Sequence, residues 1–520
     1  MFGFLRAFSR KPALRPPLHS AEWDGRALTL TFAADVGQVA LDLDGVFFSA
    51  AHPDDERRVR FVFAFTPSGH LALDVLPRRG RDGTPLLARP WRLTLGRPGL
   101  AAAPAAAPLP LAPPGAVEHC VPFGLDVGAI EVAIVVPVYN APALVERCLD
   151  AVLAHTSGRA RLIVIDDASP DPAVAPLLAR YAGREGIEVL RNEANHGFTA
   201  TANRGIAAAG RADVVLLNAD TEVGPHWLTG LRRAAYSADD VATATAVSDN
   251  AGAFSVPELE QANALPAGWP ADAAARALWQ QAGLAYPQLP TGNGFCLYIR
   301  RAVLDAVGAL DEAAFPQGYG EENDFCQRAA RHGLRHVIAG NVLVRHARSQ
   351  SFGEERRRVL GEAGMAVLRA RWPDYERDVG ASLFSFERRV LDWRVRRAFA
   401  ASAPPRPRLL WVGANAPDWP DAELWVLRAV GARNELVFDG RVVAVNLWHA
   451  DTPETSYRAL WDWLQVYAIE RLVVPARTES AAEILCRLLA IPVAEVAVPF
   501  APTARAALAA VEPALRTFAE

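Results

Sequence analysis

The hydrophobic pattern changes texture three times along the chain. Between residues 20 and 98, short runs such as "ALTLTF", "VALDLDGVFFSA", "VRFVFAF" and "HLALDVL" alternate apolar and polar positions and are separated by Gly, Asp and Pro turns. A two-residue period belongs to strands with one buried face, and no helical period interrupts it, so this segment is predicted to be an all-β sandwich. From residue 131 the strands become apolar throughout, as in "VAIVVPVY", "RLIVIDDAS", "IEVL" and "DVVLLNAD", and alternate with amphipathic stretches such as "APALVERCLDAVLAH", "PAVAPLLARYA" and "TATANRGIAAAG". Strands without a polar face are buried on both sides, which predicts a mostly parallel α/β sheet with helices above and below. After residue 405 the alternation resumes with "RLLWVGAN", "RVVAVNLW", "RLVVPA" and "AEVAVP" as strands and "SYRALWDWLQVYA" and "SAAEILCRLLA" as helices. That is a second, smaller Rossmann-like domain, with no internal repeat linking it to the first.

These textures divide the chain into an extension (1–19), the β domain (20–98), an Ala/Pro spacer (99–117), the central α/β domain (118–375), a helical connector (376–404) and the C-terminal α/β domain (405–520). Such a division suits a length of 520 residues, which exceeds one ordinary core. Within the connector, "SLFSFERRVLDWRVRRAF" mixes aromatics and arginines as an interfacial helix does, so peripheral membrane contact stands beside the plainer reading of a packed helix.

Formal charge is only −4, which gives no support to nucleic acid as a partner. Five scattered cysteines form no C-x-x-C pair and read as reduced, mostly buried thiols. Neither a long apolar segment nor a leader-like h-region occurs, so the expectation is a soluble cytoplasmic protein.

Ligands of parallel α/β sheets bind at the carboxyl ends of the strands. Those ends read Pro137-Val138-Tyr139-Asn140, Asp166-Asp167 and Asn218-Ala219-Asp220. Neither G-x-G-x-x-G nor G-x-x-x-x-G-K-[ST] follows the first strand, which excludes the two common glycine-loop nucleotide sites. An aromatic that can stack on a base, carboxylates that can accept from a base N–H, and an isolated carboxylate that can hold a divalent ion remain. Turn capping explains Asp166, Asp167 and Asp220 equally well when each is taken alone.

In order and spacing, "VAIVVPVYN", "LIVIDDASPD", "NEANHGFTATANRG", "VVLLNADTEVGPHWL", "TGNGFCLYIRRAVLDAVGALDE" and "FPQGYGEENDFCQRAARHG" resemble the GT-A-fold glycosyltransferases of family 2, over about residues 131–350. The resemblance implies an inverting enzyme that takes a sugar from a nucleotide donor to a glycan or lipid-linked glycan acceptor, often in bacterial surface polysaccharide assembly. It assigns Pro137, Tyr139, Asn140, Asp166, Asp167 and Asn218 to the nucleotide side. Asp220, the retained second carboxylate of the family's D-x-D motif, and His346 in "VLVRHARSQ" become contacts for Mn²⁺ or Mg²⁺. Glu322 aligns with the catalytic base, a Glu where the family usually has Asp, while Glu321, Asp324 and Asn293 fall on the acceptor side.

Position at a helix start should steady Glu322 while lowering its pKa through the helix dipole. All donor and acceptor elements precede residue 350, so a chain ending near residue 400 is expected to keep donor chemistry. Two other readings remain open at this point: a non-catalytic carbohydrate-binding scaffold, and a glycoside hydrolase with a carboxylate pair, in which Tyr139 and Asp167 would have no part.

Overall fold

A computed structural model describes residues 18–24, 27–43, 46–63, 71–79, 84–85, 91–96, 99–104, 118–347, 354–413, 416, 419–447, 453–474 and 480–495. In the front segment the alternating runs become β1 (Leu18–Trp23), β2 (Ala27–Phe32), β3 (Gln38–Leu43), β4 (Val46–Ala51), β5 (Arg58–Val62), β6 (Leu71–Arg79), β7 (Thr84–Pro85), β8 (Trp91–Gly96) and β9 (Gly99–Pro104). They form two antiparallel sheets, ordered β1-β2-β5 and β4-β3-β6-β8-β9 with β7 beside β6. Leu28, Leu30, Val59 and Phe61 of the first sheet share one core with Val39, Leu41, Val75 and Leu93 of the second. The spacer expected from residue 99 begins later, because residues 99–104 pair with β8. An edge strand tolerates the Ala/Pro composition, since only one side of its backbone must be paired. The rest of the spacer, and the extension up to residue 17, lie outside the described residues.

The central domain runs β10 (Val132–Val138), α1 (Pro142–His155), β11 (Ala160–Asp166), α2 (Val174–Ala179), β12 (Ile187–Arg191), α3 (Phe198–Ala208), β13 (Asp213–Leu217), β14 (Thr221–Val223), α4 (Trp227–Ala235), β15 (Val241–Val247), α5 (Ala271–Gln281), β16 (Cys296–Ile299), α6 (Arg301–Val307), α7 (Glu321–Ala330) and β17 (Arg335–His346). Its sheet order is β12-β11-β10-β13-β16-β15-β17-β14. The first four strands are parallel; β16 runs antiparallel to β13 and β15, and β14 antiparallel to β17. Successive side chains of a strand point to opposite faces. Accordingly Val132, Ile134, Val136 and Val138 of β10 enter the core with α1, whereas Ala133 and Val135 enter a second core with α3. This two-sided burial is why "VAIVVPV" contains no polar position.

Helices α8 (Glu354–Arg371), α9 (Tyr375–Leu383) and α10 (Phe386–Phe399) follow. The connector proves to be part of the central domain, since Leu391 and Val395 of α10 lie in its main core. Arg388, fully buried, pairs with Asp392 at 2.9 Å and donates to the Ala253 and Ser255 carbonyls. The arginines that suggested a membrane-facing helix are thus engaged by protein: Arg394 meets Glu118 and Arg396 meets Glu258. None of the described helices is long and apolar enough to cross a membrane.

The C-terminal domain comprises β18 (Arg408–Val412), β19 (Glu423–Val430), β20 (Arg433–Phe438), β21 (Arg441–Leu447), α11 (Pro453–Val466), β22 (Arg471–Val474), α12 (Ala481–Leu488) and β23 (Val493–Glu495). Its sheet, ordered β21-β20-β19-β18-β22-β23, is parallel only from β19 to β23. The β19-β20-β21 meander is antiparallel, a departure from the expected Rossmann-like alternation. Val121 and Val127 belong to this domain's core, and the Trp461 indole donates to the Val121 carbonyl at 2.8 Å. The expected boundary at 118 therefore shifts: residues 121–127 pack on the C-terminal domain before the chain enters β10.

Candidate active site

At the carboxyl ends of β10, β11 and β13 the chain leaves a cavity of about 590 Å³. Pro137, Tyr139, Asn140, Asp167, Asn218, Asp220, Asn293, Glu321, Glu322 and His346 all line it. Ten of the twelve expected site residues therefore converge from six separate stretches of sequence. The other two, Asp166 and Asp324, do not line it.

Asn140 and Ala141 take left-handed backbone conformations (φ 60° and 52°) at the turn from β10 into α1. The turn is held by the Asn140 N–H on Ser169 Oγ (2.9 Å) and by the Asp171 N–H on Asn140 Oδ1 (3.1 Å). Asp166 is buried behind it, accepting from the Ser169 N–H and pairing with Arg191 at 2.9 Å. It does not line the cavity, and its part on the nucleotide side is to shape the loops. Asp167, 4% exposed, takes hydrogen bonds from Asn192 Nδ2 and the His196 and Gly197 N–H groups, so it fixes the 192–197 loop while facing the cavity. Gly197 starts α3 at φ 85°, where a Cβ would collide with the Pro316 carbonyl. Only glycine brings that loop so close to the acidic segment.

Ala141, Gly197 and Gly320 are the N-caps of α1, α3 and α7, and none has a side-chain cap. Ala141, Gly197 and Glu321, the residue following Gly320, line the cavity, so three helix N-termini of nine or more residues converge there. Free N–H groups and the positive end of each helix dipole favour an anion at such a place.

Asp220 and His346 come together through strand pairing. In the β14/β17 ladder Thr221 sits opposite His346, and the Ala347 N–H donates to the Asp220 carbonyl. His346 Nε2 thereby lies 3.2 Å from Asp220 Oδ1, with both side chains mostly buried. The imidazole stacks on Phe295, centroids 5.4 Å apart at 16°, and its Nδ1 is 3.2 Å from the Asn250 carbonyl. A carbonyl only accepts, so Nδ1 carries the hydrogen, and in the neutral ring Nε2 then turns a lone pair toward a carboxylate. Two acceptors face to face suit a shared cation. Among the described residues no group of three or more His, Cys, Asp or Glu is placed to hold a metal. A two-residue anchor is still compatible with Mg²⁺ or Mn²⁺, which keep waters and use substrate phosphates as further ligands, and the imidazole favours Mn²⁺.

The acidic segment lines the same cavity. Glu321 is 3% exposed and its Oε2 accepts from the Gly320 N–H at 3.0 Å. Glu322 Oε2 is buried without a hydrogen-bond partner. Burial drives the Glu321 carboxyl well above the ordinary range, and the charge of Glu322 adds to this. Burial also raises Glu322, against the pull of backbone N–H groups and of a hydrogen bond from Glu321. Both carboxyls are thus pushed toward their protonated forms, Glu321 the further of the two, and the hydrogen bond between them favours the proton on Glu321. The lowered pKa expected at a helix start is overturned: the N–H groups act in that direction, but loss of water outweighs them.

Asp324, fully buried, faces away from the cavity. It accepts from Arg328 Nε (2.9 Å), Arg371 Nη1 (3.0 Å) and the Trp372 indole (3.0 Å), and so ties α7 to α8. Its place on the acceptor side is withdrawn. Asn293 makes the turn of its own loop, its Oδ1 accepting from the Phe295 N–H at 3.1 Å. Sequence reasoning assigned no role to Asn195, Gln317 or Tyr319, which also line the cavity. All three lie inside motifs that carried the family resemblance, and that was the signal available.

Residues 133–308 match the model of glycosyl transferase family 2. An uncharacterized glycosyltransferase, EpsJ, of Bacillus subtilis is 33% identical over 78 residues, 15% of this chain and 22% of that one. YibD of Escherichia coli, another uncharacterized glycosyltransferase, is 31% identical over 96 residues, 18% of this chain and 27% of that one. The chain thus spans about a quarter of the length of these relatives. Among solved structures, a mannosyltransferase of Pyrobaculum calidifontis with GDP-Man and Mn²⁺ aligns at 17% identity and TM-score 0.37, covering 54% of this chain and 76% of that one. With six motifs in family order, a GT-A-like α/β sheet and the match over residues 133–308, the central domain of this chain is a glycosyltransferase family 2 domain.

Proposed function

We propose that the chain is an inverting, metal-dependent glycosyltransferase that moves a sugar from a nucleotide-diphosphate donor to a hydroxyl of a glycan or lipid-linked glycan. The observation that carries this reading is one cavity with a cation-ready pair, Asp220 and His346, on one wall and an unpartnered carboxylate oxygen, Glu322 Oε2, on another. In this reading Tyr139 and the Asp167-held loop receive the nucleoside, and the N-termini of α1 and α3 face the diphosphate. Asp220 and His346 would hold Mn²⁺ or Mg²⁺, which when bound neutralises the departing diphosphate. Glu322 takes the proton of the attacking hydroxyl, and its raised pKa makes it a stronger base than an exposed glutamate. Glu321, holding its proton, hydrogen-bonds to Glu322 and keeps a second negative charge away from it.

The test is a panel of nucleotide sugars with Mn²⁺, read as thermal stabilisation. One or more donors should stabilise the protein with metal present and not without it, and the same donors should release nucleoside diphosphate. A protein that no nucleotide sugar stabilises would contradict the reading. The family resemblance supports bacterial surface polysaccharide as the setting for the acceptor.

A further inference from the structure

Asp249 lies outside every motif discussed so far, on the loop after β15, yet it holds the strand end that carries His346. Its side chain is 13% exposed. Oδ1 accepts the His346 main-chain N–H at 2.9 Å and the Ser248 hydroxyl at 3.2 Å, and Oδ2 accepts Arg345 Nε at 3.3 Å. Its own carbonyl is held by the Asn263 N–H at 2.7 Å and by Asn263 Nδ2 at 3.4 Å. The next residue, Asn250, supplies the carbonyl that faces His346 Nδ1 at 3.2 Å. Arg345 in turn reaches Glu222, two residues beyond Asp220, at 3.3 Å. One carboxylate therefore locks the main chain of His346 to the segment that orients its ring, and through Arg345 to the strand that follows Asp220.

We propose that Asp249 is a positioning residue: by clamping the His346 backbone against the 249–250 segment it keeps Nδ1–H on the Asn250 carbonyl, and so presents Nε2 to the cation shared with Asp220. This rests on the metal-dependent reading above. Outer partners of ligating histidines fix the tautomer and ring orientation, and their loss commonly lowers metal affinity about 10- to 100-fold.

The experiment uses the full chain, Mn²⁺ with inorganic pyrophosphate as the probe, and selective ¹⁵N-histidine labelling, with His346→Gln identifying the His346 signals. The parent protein without metal should show His346 as the Nδ1–H tautomer. In Asp249→Ala, Mn²⁺ affinity in the presence of pyrophosphate should fall by about 10- to 100-fold and the His346 signals should move toward a mixture of tautomers. Asp249→Asn keeps an oxygen for the His346 N–H and should recover most of both. An Nε2–H tautomer in the parent, or unchanged Mn²⁺ affinity in a folded Asp249→Ala protein, would overturn the proposal. Should the alanine variant not fold, the parent tautomer and the asparagine variant still decide it. A parent protein that binds no Mn²⁺ with pyrophosphate overturns the metal reading itself, and this inference with it.

Discussion

Nε2 of His226, at the start of α4, lies 2.8 Å from Oε2 of Glu470, in the turn before β22 of the C-terminal domain. The same carboxylate accepts from Arg276 Nε at 3.1 Å and Gln280 Nε2 at 2.7 Å, both on α5. Arg233, fully buried on α4, donates to the Leu489 carbonyl at 2.6 Å across the same junction. These contacts join the two domains through buried polar groups, which are costly when left unpaired.

A chain ending near residue 400 is therefore expected to fail as a folded protein, contrary to the modular expectation from sequence. It would bare Val121 and Val127 and strand Arg233, Arg276 and Gln280. A truncated chain melting at the temperature of the whole protein would show that the junction contributes little. Burial alone would raise the Glu470 pKa, but His226 and Arg276 bring it below the ordinary value. Its contribution to stability is thus present above the unfolded pKa and lost as pH falls through the folded one. Glu470→Gln should flatten that acid limb of a melting profile.

Asp324 provides a contrast within the acidic segment. Because Asp324 bonds Arg328, Arg371 and Trp372 rather than the cavity, Asp324→Ala should destabilise the protein by on the order of 3 kcal/mol. The folded fraction should keep its affinity for donor and metal. Denaturant melts together with calorimetry separate the two effects; loss of activity in an equally stable variant would return Asp324 to the site.

The sequence revealed the strand ends but not the partners of side chains that reach across the fold. Tyr139, Asp167 and Asp220 were legible because uniformly apolar strands must end at a ligand-facing edge, and the polar residues there stand out. Asp324 was not, since Arg371 and Trp372 lie more than forty positions away and helix spacing alone puts Asp324 on the face of Glu321. Asp249 went unnoticed for the same reason, its partner His346 being 97 positions distant. In the C-terminal domain, β19 and β20 are not among the expected strands, although "LWVLRAV" and "ARNELVF" flank a Gly431 turn, which is a hairpin signal.

The paired carboxyls make a prediction of opposite sign to that of Glu470. Both Glu321 and Glu322 have folded pKa values above their unfolded ones. The associated stability is present in full below the unfolded value of about 4.3 and is lost as pH rises through the raised folded values. Glu321→Gln removes one of these groups while keeping an oxygen for the Gly320 N–H. Its melting temperature should exceed that of the parent at pH 8, with the gap closing toward pH 4. A variant less stable than the parent at both pH values would mean that the pair is not under strain.

Gly364 of α8 lies against the loop that precedes α7. A Cβ there would overlap the Tyr319 carbonyl oxygen, and Tyr319 lines the cavity in a left-handed conformation of φ 69°. Gly364→Ala must push that loop away, so turnover should fall together with stability, by about 1 to 3 kcal/mol for the latter. Parental melting and parental turnover in the same variant would contradict this close approach.

The central claim is that Glu322 accepts the acceptor proton in the cavity where Asp220 and His346 would hold metal and donor. It is tested most directly by Glu322→Gln, assayed for sugar transfer and for Mn²⁺-dependent donor binding in the same preparation. The account predicts that transfer falls by about 10² to 10⁴ while donor affinity stays within a few-fold of the parent. The parental acid limb, set above the ordinary glutamate range by burial, should vanish from the residual activity. Transfer at the parental rate by the folded variant, with the acid limb intact, would contradict it.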